Sequence, residues 1–486
     1  MAKKLNSSLV RVFVISTAAM LVIFPGSHFL LTSLASASST PIQHIVFVIQ
    51  ENRAFDNYFG VYPGVSAPYA LSLSTCIPTN LGDPTGPCVS PINLDDNVSR
   101  VNKVDLNHDV PAATMALDNG KMDGFYAAQV KYYCGPNARL LNPKCLHNVA
   151  QLAKLTMEYY TSATVPDYWD LASYYSLDAN FHSSMLGTSL PNHLYTVAAQ
   201  AGSVQYNTYN FNSLSFSNIA NVMTQYGITW RYYSGGWNDS LDCLAMKQTM
   251  AKNLHTETDW NAFWSPLLYF TTTPLNPSTC YNQKNLYDFY NDAYSGNLPQ
   301  VSWISANVSY SEHTGAESGS SGIANGQMYT ASVIDAISSN PSLWSNTAIF
   351  LTWDDWGGFY DSVPPQNGFG FRVPLLVISP YSQQGKIFYG PSGQQEEFSA
   401  FLSTIEQNFN LPSLTSRDAG EASLFYMLNF SQSPLPPLIL PTTTLATYPL
   451  SSCIVCTFGT VNAPVHYAPP PVHSPINSTL GYYDVD

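Results

Sequence analysis

The sequence carries little charge for its length. Only 10% of its 486 residues are charged, against about 25% in a typical soluble protein. Lysine and arginine together number 18, and the formal net charge is −14. Proteins that bind nucleic acid or anionic membranes mainly by charge need a basic surface, which so few basic residues cannot supply. We therefore expect no nucleic acid as a partner.

Long apolar runs are absent beyond the N-terminus. Basic residues precede an apolar run at residues 12–24, and a second apolar stretch ends in the small-residue pattern at 35–37. This order is typical of a secretory signal peptide, so we predict that residues 1–37 are a cleaved signal and that the protein is secreted. An uncleaved anchor that keeps the protein at the cell surface is the alternative, although Pro25 and Gly26 interrupt the run.

Cysteine is also scarce, but the eight cysteines form an even number. In an exported chain this indicates disulfides, and neighbours along the chain give the pairs Cys76–Cys88, Cys134–Cys145, Cys243–Cys280 and Cys453–Cys456. A zinc site is the alternative, which is weaker because only one C-x-x-C occurs. Sequons predict a glycosylated surface and lie at Asn97, Asn238, Asn307, Asn429 and Asn477.

The low charge also suits an acidic exterior. When carboxylates become protonated, a protein with few lysines and arginines experiences little positive self-repulsion. We therefore predict that the fold and activity persist at about pH 3–5, where carboxylates titrate. The alternative is that the composition only reflects a glycosylated secreted surface rich in serine, threonine and asparagine.

The apolar pattern predicts an α/β fold. Short continuous apolar runs at His44–Gln50, Thr347–Trp353 and Val373–Ser379 are typical of strands that are buried on both faces. Residues 396–409 carry an apolar stripe at helical spacing. Strands that alternate with such helices predict an α/β sandwich with a mainly parallel central sheet flanked by helices.

Two of these strands end in oxygen-bearing side chains. Glu51 and Asn52 follow the first strand, and Asp354 and Asp355 follow the second. Ligands of parallel sheets bind beyond the carboxyl ends of the strands, and hard divalent cations prefer oxygen ligands. Either pair alone is typical of turn and cap residues; two pairs at equivalent strand ends favour a divalent metal site.

Several segments resemble one enzyme family. The family's opening motif resembles residues 44–60 (HIVFVIQENRAFDNYFG), and its second metal-binding block resembles residues 352–365 (TWDDWGGFYDSVPP). Further matching segments, in family order, are Asn107-His108-Asp109 with Gly120–Gly124, Gly187–Tyr195 (GTSLPNHLY) and Ser311-Glu312-His313. Together they make the chain similar to the phospholipase C and acid phosphatase phosphoesterases.

The resemblance implies an alkaline-phosphatase-like core and a set of site residues. It implies metal ligation by Glu51, Asn52, Asp354 and Asp355, with the identity of the metal open. It implies that Ser189 is the nucleophile of a phosphoseryl mechanism, with Thr188 as the fallback. Catalytic contacts to phosphoryl oxygens or the leaving group are implied for His108 and His313. Substrate contacts are implied for Asn52, Asn192 and His193.

The residues around Ser189 agree with that role. Pro191 suits the first turn of a helix, which would place Ser189 at a helix N-terminus, where backbone N–H groups and the helix dipole favour a phosphate. The alternative is that Ser189 is only an N-cap residue.

This chain also departs from the family pattern. The family often has histidine at Trp356 and Ser362 and arginine at His193, and its D-H-T-S block reads Glu396-Glu397-Phe398-Ser399 here. These departures leave the substrate in doubt.

The implied domains and function follow from the matched range. We predict a phosphoesterase catalytic domain at 38–430, in which residues 205–300 form an insertion or cap, and a Pro-rich tail at 431–486. The substrate is a phosphate monoester (acid phosphatase) or a phospholipid diester (phospholipase C). The alternative from another class is a non-catalytic cell-surface glycoprotein that retains the fold. The sequence leaves the oligomeric state open.

Overall fold

A computed structural model describes residues 38–95, 104–134, 149–235, 237, 264–271, 282–314 and 322–440. The predicted signal and nearly all of the predicted tail lie outside these residues. Within them, no helix is long and apolar enough to span a bilayer. The cleaved signal, secretion and the Pro-rich tail therefore stay predictions.

The described part alternates strands and helices. The strands are β1 (His44–Gln50), β2 (Ile77–Pro78), β3 (Cys88–Val89), β4 (Ile92–Asn93), β5 (Glu158–Tyr159), β6 (Ser176–Asp178), β7 (Trp230–Ser234), β8 (Gln283–Lys284), β9 (Val301–Ser305), β10 (Thr347–Trp353), β11 (Leu375–Ile378) and β12 (Ile387–Phe388). The α-helices are α1 (Phe55–Phe59), α2 (Val110–Leu117), α3 (Phe125–Cys134), α4 (Pro166–Tyr174), α5 (Ser189–Ala198), α6 (Ile219–Gln225), α7 (Leu286–Ser295), α8 (Gly322–Ser338), α9 (Pro341–Trp344) and α10 (Ser399–Phe409). Short 3₁₀ turns cover Asp118–Gly120, Lys154–Met157, Pro266–Tyr269, Val308–Tyr310, Pro391–Gly393, Asp418–Gly420 and Leu424–Met427.

Eight strands form one central sheet in the order β12-β6-β11-β10-β1-β9-β7-β8. All neighbouring pairs are parallel except those of β11, which runs antiparallel to both β10 and β6. The predicted α/β sandwich with a mainly parallel central sheet is thus confirmed.

Helices cover both faces of this sheet. On β1, Phe47 faces the side packed by α5, α6 and α10, and its ring lies 4.3 Å from that of Phe401. Val46 and Val48 face the opposite side, packed by α4, α7, α8 and α9. Burial on both faces explains why β1 and β10 are continuous apolar runs, and both have the predicted bounds.

Other elements differ from the prediction in extent. Strand β11 is shorter than Val373–Ser379, and α10 begins at Ser399 rather than at 396 because the Glu397 carboxylate accepts from the Ser399 N–H at 3.0 Å and shapes the turn before the helix. The described parts of residues 205–300 also differ from a simple cap. They supply β7 and β8, which extend the central sheet at one edge.

The predicted disulfide Cys76–Cys88 is present, with a Cα–Cα distance of 5.4 Å. The side chains of the other three predicted pairs lie outside the described part of the chain. Of the sequons, Asn429 is exposed, whereas Asn307 is buried and its side chain accepts from the Ser309 N–H at 3.1 Å. Asn307 is therefore a poor position for a glycan; Asn97, Asn238 and Asn477 are not described.

Candidate active site

The carboxyl ends of β1 and β10 form one side of the site. The two strands are parallel neighbours, with Gln50 opposite Trp353, so that the residues after them meet as predicted. The Asn52 N–H donates to Asp354 Oδ1 at 2.8 Å. Asn52 has a φ of 61°, in the left-handed region that asparagine tolerates better than most residues.

Gly357 allows the backbone at Asn52 to pack closely against it. A Cβ at Gly357, whose φ is +58°, would lie 2.4 Å from the Asn52 carbonyl oxygen. The Asn52 carbonyl also accepts from Arg53 Nη1 at 2.7 Å. The carbonyl of Asn52 is therefore held by the Arg53 side chain and lies close to the Gly357 backbone.

Glu51, Asp354 and Asp355 are buried carboxylates close to one another. Burial, followed by the charge of Asp354, raises the pKa of Glu51 well above its usual range, and the same two causes raise the pKa of Asp355. Buried polar atoms without a hydrogen-bond partner are Glu51 Oε2, Asp354 Oδ2, Asp355 Oδ2 and both amide atoms of Asn52.

These residues fit a divalent cation. Buried carboxylate oxygens without a partner are unfavourable unless a positive charge compensates them, and oxygen atoms of carboxylates and amides are ligands for such ions. Glu51, Asp354 and His193 also offer ligand atoms within 4.8 Å of one another. The four residues predicted from the sequence thus lie together, and their binding of metal stays a prediction.

Ser189 begins helix α5 next to these carboxylates. Thr188 is the N-cap residue, and its side chain makes no capping hydrogen bond. Ser189 is therefore the first helical residue and not an N-cap, contrary to the alternative interpretation. Its hydroxyl interacts with the Glu51 carboxylate and lowers the pKa of Glu51 against the larger effect of burial. The predicted nucleophile lies at a helix N-terminus beside the carboxylate cluster.

Asn192 holds the loop before α5. Its Oδ1 accepts from the N–H groups of Ser184 and Met185 at 3.0 and 3.1 Å, and its Nδ2 donates to the Thr188 carbonyl at 3.1 Å. Both amide atoms are thus used inside the loop, and the predicted substrate contact of Asn192 stays a prediction.

His193 lies against the carboxylate cluster, and its predicted substrate contact stays a prediction. It is fully buried, and its Nε2 lies 3.0 Å from Glu51 Oε1 and 3.9 Å from Asp354 Oδ2. Burial lowers the pKa of His193 to about 4. The His193 ring therefore lies directly beside the predicted metal ligands Glu51 and Asp354.

His108 and His313 lie together on the Asp355 side of the cluster. Nε2 of His108 is 4.0 Å from Asp355 Oδ2, and the two imidazole rings are 6.2 Å apart. Burial lowers the pKa of His108, but the charges of Asp355 and Asp105 raise it more, to about 9. Burial lowers the pKa of His313. The structure thus brings both predicted catalytic histidines to the site.

The sequence profile of the Phosphoesterase family matches residues 42–412. That range contains both strand ends, the loop before α5 and both histidines. The chain belongs to the phosphoesterase family.

Curated relatives of this phosphoesterase are named phospholipases C. Phospholipase C A of Mycobacterium tuberculosis is 26% identical over 81% of this chain and 78% of its own length. The hemolytic phospholipase C of Pseudomonas aeruginosa is 26% identical over 76% of this chain and 53% of its own length. Non-specific phospholipase C1 of Arabidopsis thaliana is 25% identical over 81% of this chain and 72% of its own length. The chain is therefore an enzyme that hydrolyses phosphate esters, which removes the non-catalytic alternative.

Among solved structures, a protein of the alkaline phosphatase superfamily from Vibrio parahaemolyticus is 12% identical. The match covers 54% of this chain and 64% of that chain, with a TM-score of 0.31. The α/β architecture of this phosphoesterase is shown by its own central sheet.

Sequence reasoning missed two residues that support the site of this phosphoesterase. Asp105 accepts from the Thr314 hydroxyl at 3.2 Å and lies 3.8 Å from His108 Nδ1. Glu312 accepts from Tyr58 at 2.7 Å and from the indole of Trp353 at 3.0 Å. Asp105 lies two residues before the matched segment that begins at Asn107, and Glu312 lies within the matched segment Ser311-Glu312-His313. These positions were the only signal in the sequence.

Proposed function

We propose that this phosphoesterase is an exported, metal-dependent hydrolase that works through a phosphoseryl intermediate on Ser189. The observation that supports this is the Ser189 hydroxyl beside Glu51, at the N-terminus of α5 and within a cluster of unpaired carboxylate oxygens. The residues that would hold a divalent cation are Glu51, Asn52, Asp354 and Asp355. When bound, such a cation acts as a Lewis acid on a phosphoryl oxygen and favours ionisation of a nearby hydroxyl.

Ser189 provides the nucleophile. Its Oγ forms a bond to phosphorus as its proton passes to solvent water, and the bond from phosphorus to the leaving oxygen breaks as that oxygen takes a proton from His108 Nε2. The N-terminal backbone of α5 favours the anionic phosphoryl group through its N–H groups and dipole. Water then attacks this phosphorus, the bond from phosphorus to Ser189 Oγ breaks, and Oγ takes a proton to restore the hydroxyl. The product is the phosphorylated headgroup of a diester, or phosphate from a monoester.

His108 is the group that we assign to the leaving oxygen. Its Nδ1 lies 2.7 Å from the Leu106 carbonyl, and because a carbonyl only accepts, Nδ1 carries a proton and the ring orientation is fixed. Nε2 then remains for proton transfer at the side of the cluster near Asp355. His313, whose Nδ1 is likewise 2.7 Å from the Thr314 carbonyl, would contact a phosphoryl oxygen.

For the substrate, we propose a phospholipid diester. Support comes from relatives named phospholipase C that cover most of this chain. A phosphate monoester is the other outcome of the test below.

The test compares two chromogenic substrates on the purified full chain. We expect faster hydrolysis of p-nitrophenyl phosphorylcholine than of p-nitrophenyl phosphate, from about pH 3 to about pH 9, and loss of both after chelation. Readdition of one divalent metal should restore activity. Hydrolysis of the monoester alone would instead assign an acid phosphatase, and full activity after chelation would contradict metal dependence.

Export is tested on the same full-length chain. After expression in a secreting host, N-terminal sequencing of protein from the medium should find a start near residue 38. Protein that stays with the membrane fraction and retains its N-terminus would support the uncleaved anchor.

A further inference from the structure

We propose that His193 is a ligand of the same cation as Glu51 and Asp354, so that the site mixes nitrogen and oxygen ligands and prefers a transition metal to Ca²⁺ or Mg²⁺. This rests on the proposed metal dependence. It adds a fifth side chain to the predicted ligand set and assigns a metal class that oxygen ligands alone would not favour.

The distances support ligation by Nε2. This atom lies 3.0 Å from Glu51 Oε1 and 3.9 Å from Asp354 Oδ2, and the ligand atoms of the three residues are all within 4.8 Å of one another. Ligands that bind one metal ion at about 2.0–2.2 Å are about 3–4 Å apart from each other. Both distances from Nε2 therefore match the spacing of ligands around one ion, and the third distance is bounded at 4.8 Å.

The surroundings of the ring support the same conclusion. His193 is fully buried, and the polar atoms near its Nε2 are carboxylate oxygens. Asp354 Oδ2, which lies 3.9 Å from Nε2, has no hydrogen-bond partner. A cation between these atoms would satisfy the nitrogen and both carboxylates together.

The fold delivers His193 to this position with the nucleophile. Ser189 and His193 are four residues apart on α5, and residues at this spacing lie on the same helix face. Docking α5 on the sheet therefore presents the nucleophile and the nitrogen to the same carboxylates. A hydrogen bond from His193 that only orients Glu51 is the competing explanation.

Ligation by imidazole has a consequence for the metal. Imidazole suits Zn²⁺, Fe²⁺, Co²⁺ and Ni²⁺, whereas sites made only of carboxylates, carbonyls and water suit Mg²⁺, Ca²⁺ and Mn²⁺. We therefore expect the full chain to select Zn²⁺ or Co²⁺ from an equimolar mixture that also contains Ca²⁺ and Mg²⁺.

The first experiment uses the wild-type full chain, so that it does not depend on the folding of a variant. The protein is prepared with ¹⁵N-labelled histidine, stripped by chelation and loaded with Cu²⁺, an ion that accepts imidazole ligands, as the paramagnetic probe. Electron spin echo envelope modulation should then show the nitrogen of a coordinated histidine. Bound Cu²⁺ without a histidine signal would overturn ligation and leave the metal-dependent function intact. Failure of the chain to bind any metal would overturn both.

The second experiment assigns the nitrogen. His193→Gln should lose the nitrogen signal and bind Zn²⁺ more than about 100-fold more weakly, since even outer-sphere partners of metal ligands are worth about 10–100-fold. The matched control is His44→Gln, at the opposite end of β1, which should keep both. A nitrogen signal that persists in His193→Gln would overturn the proposal and assign the signal to another histidine.

Discussion

Replacement of Glu406 by glutamine should stabilise the protein at pH 8 and leave its stability at pH 4 unchanged. Glu406 lies on α10, and its Oε1 accepts from the Leu414 N–H at 3.1 Å. Asp418 accepts from the same N–H at 2.7 Å, so the two carboxyl groups meet at one donor. Burial, followed by the hydrogen bond and charge of Asp418, raises the pKa of Glu406 to about 8, from an ordinary value of 4.5.

The sign follows from proton binding. A carboxyl whose pKa is raised in the folded state holds its proton there after the unfolded chain has lost it. Its contribution is fully present below the unfolded pKa of 4.5 and is lost as the pH rises through about 8. One pKa unit corresponds to about 1.4 kcal/mol, which sets an upper bound of about 5 kcal/mol for the stabilisation at pH 8.

The assay is urea unfolding of wild type and Glu406→Gln at both pH values. Glutamine keeps an oxygen for Leu414 and donates to Asp418, so it imitates the protonated acid at every pH. The control, Asp170→Asn, changes an exposed carboxyl and should have no comparable effect. A Glu406→Gln variant that is equally stable with wild type at pH 8, or less stable, would refute the reasoning.

Three further predictions concern the site. Asp354→Asn and Asp355→Asn each remove an anionic ligand and should lower metal content and turnover together; full metal occupancy and turnover in both variants would make the cluster structural. Gly357→Ala brings a Cβ to 2.4 Å from the Asn52 carbonyl at a positive φ and should cost about 1–3 kcal/mol in urea unfolding, and unchanged stability would contradict the close contact. Glu312→Gln removes a buried carboxylate that accepts from the Tyr58 hydroxyl, which itself accepts from Arg53. It should lower the free energy of unfolding by about 3–5 kcal/mol. A loss below about 1 kcal/mol would show that this charge is not needed.

Strands β1 and β10 were predictable because a strand that is buried on both faces has an uninterrupted run of apolar residues. Their parallel pairing then brings Glu51 to Asp354, as the rule for parallel sheets predicts. The direction of β11 was not predictable, since an apolar run is the same for either orientation. Strand β8 was not visible because its two residues, Gln283 and Lys284, belong to the sheet through pairing with β7 and not through apolar character.

The neighbours of α5 show where sequence reasoning about the site ends. The Pro191 signal placed the start of the helix correctly, and with it Ser189. Which way Asn192 and His193 point depends on how α5 docks on the sheet, which no local pattern records. Resemblance to a family assigned both to the substrate, and the docked helix turns one into the loop and the other toward Glu51.

The most direct test of the mechanism is to look for a phosphoryl group on Ser189. The full chain is mixed briefly with p-nitrophenyl phosphorylcholine and, separately, with p-nitrophenyl phosphate, quenched in acid, digested and examined by peptide mass spectrometry. We predict the phosphoryl group of the hydrolysed substrate (phosphorylcholine from the diester, phosphate from the monoester) on Ser189 within the Gly187–Tyr195 peptide, its absence in Ser189→Ala, and its persistence in Thr188→Val. Ser189→Ala should also lose several orders of magnitude in turnover, although loss of a helix-terminal hydroxyl costs only about 0.5–2 kcal/mol in stability. Near-normal turnover of Ser189→Ala, or the phosphoryl group on Thr188 instead, would contradict the account.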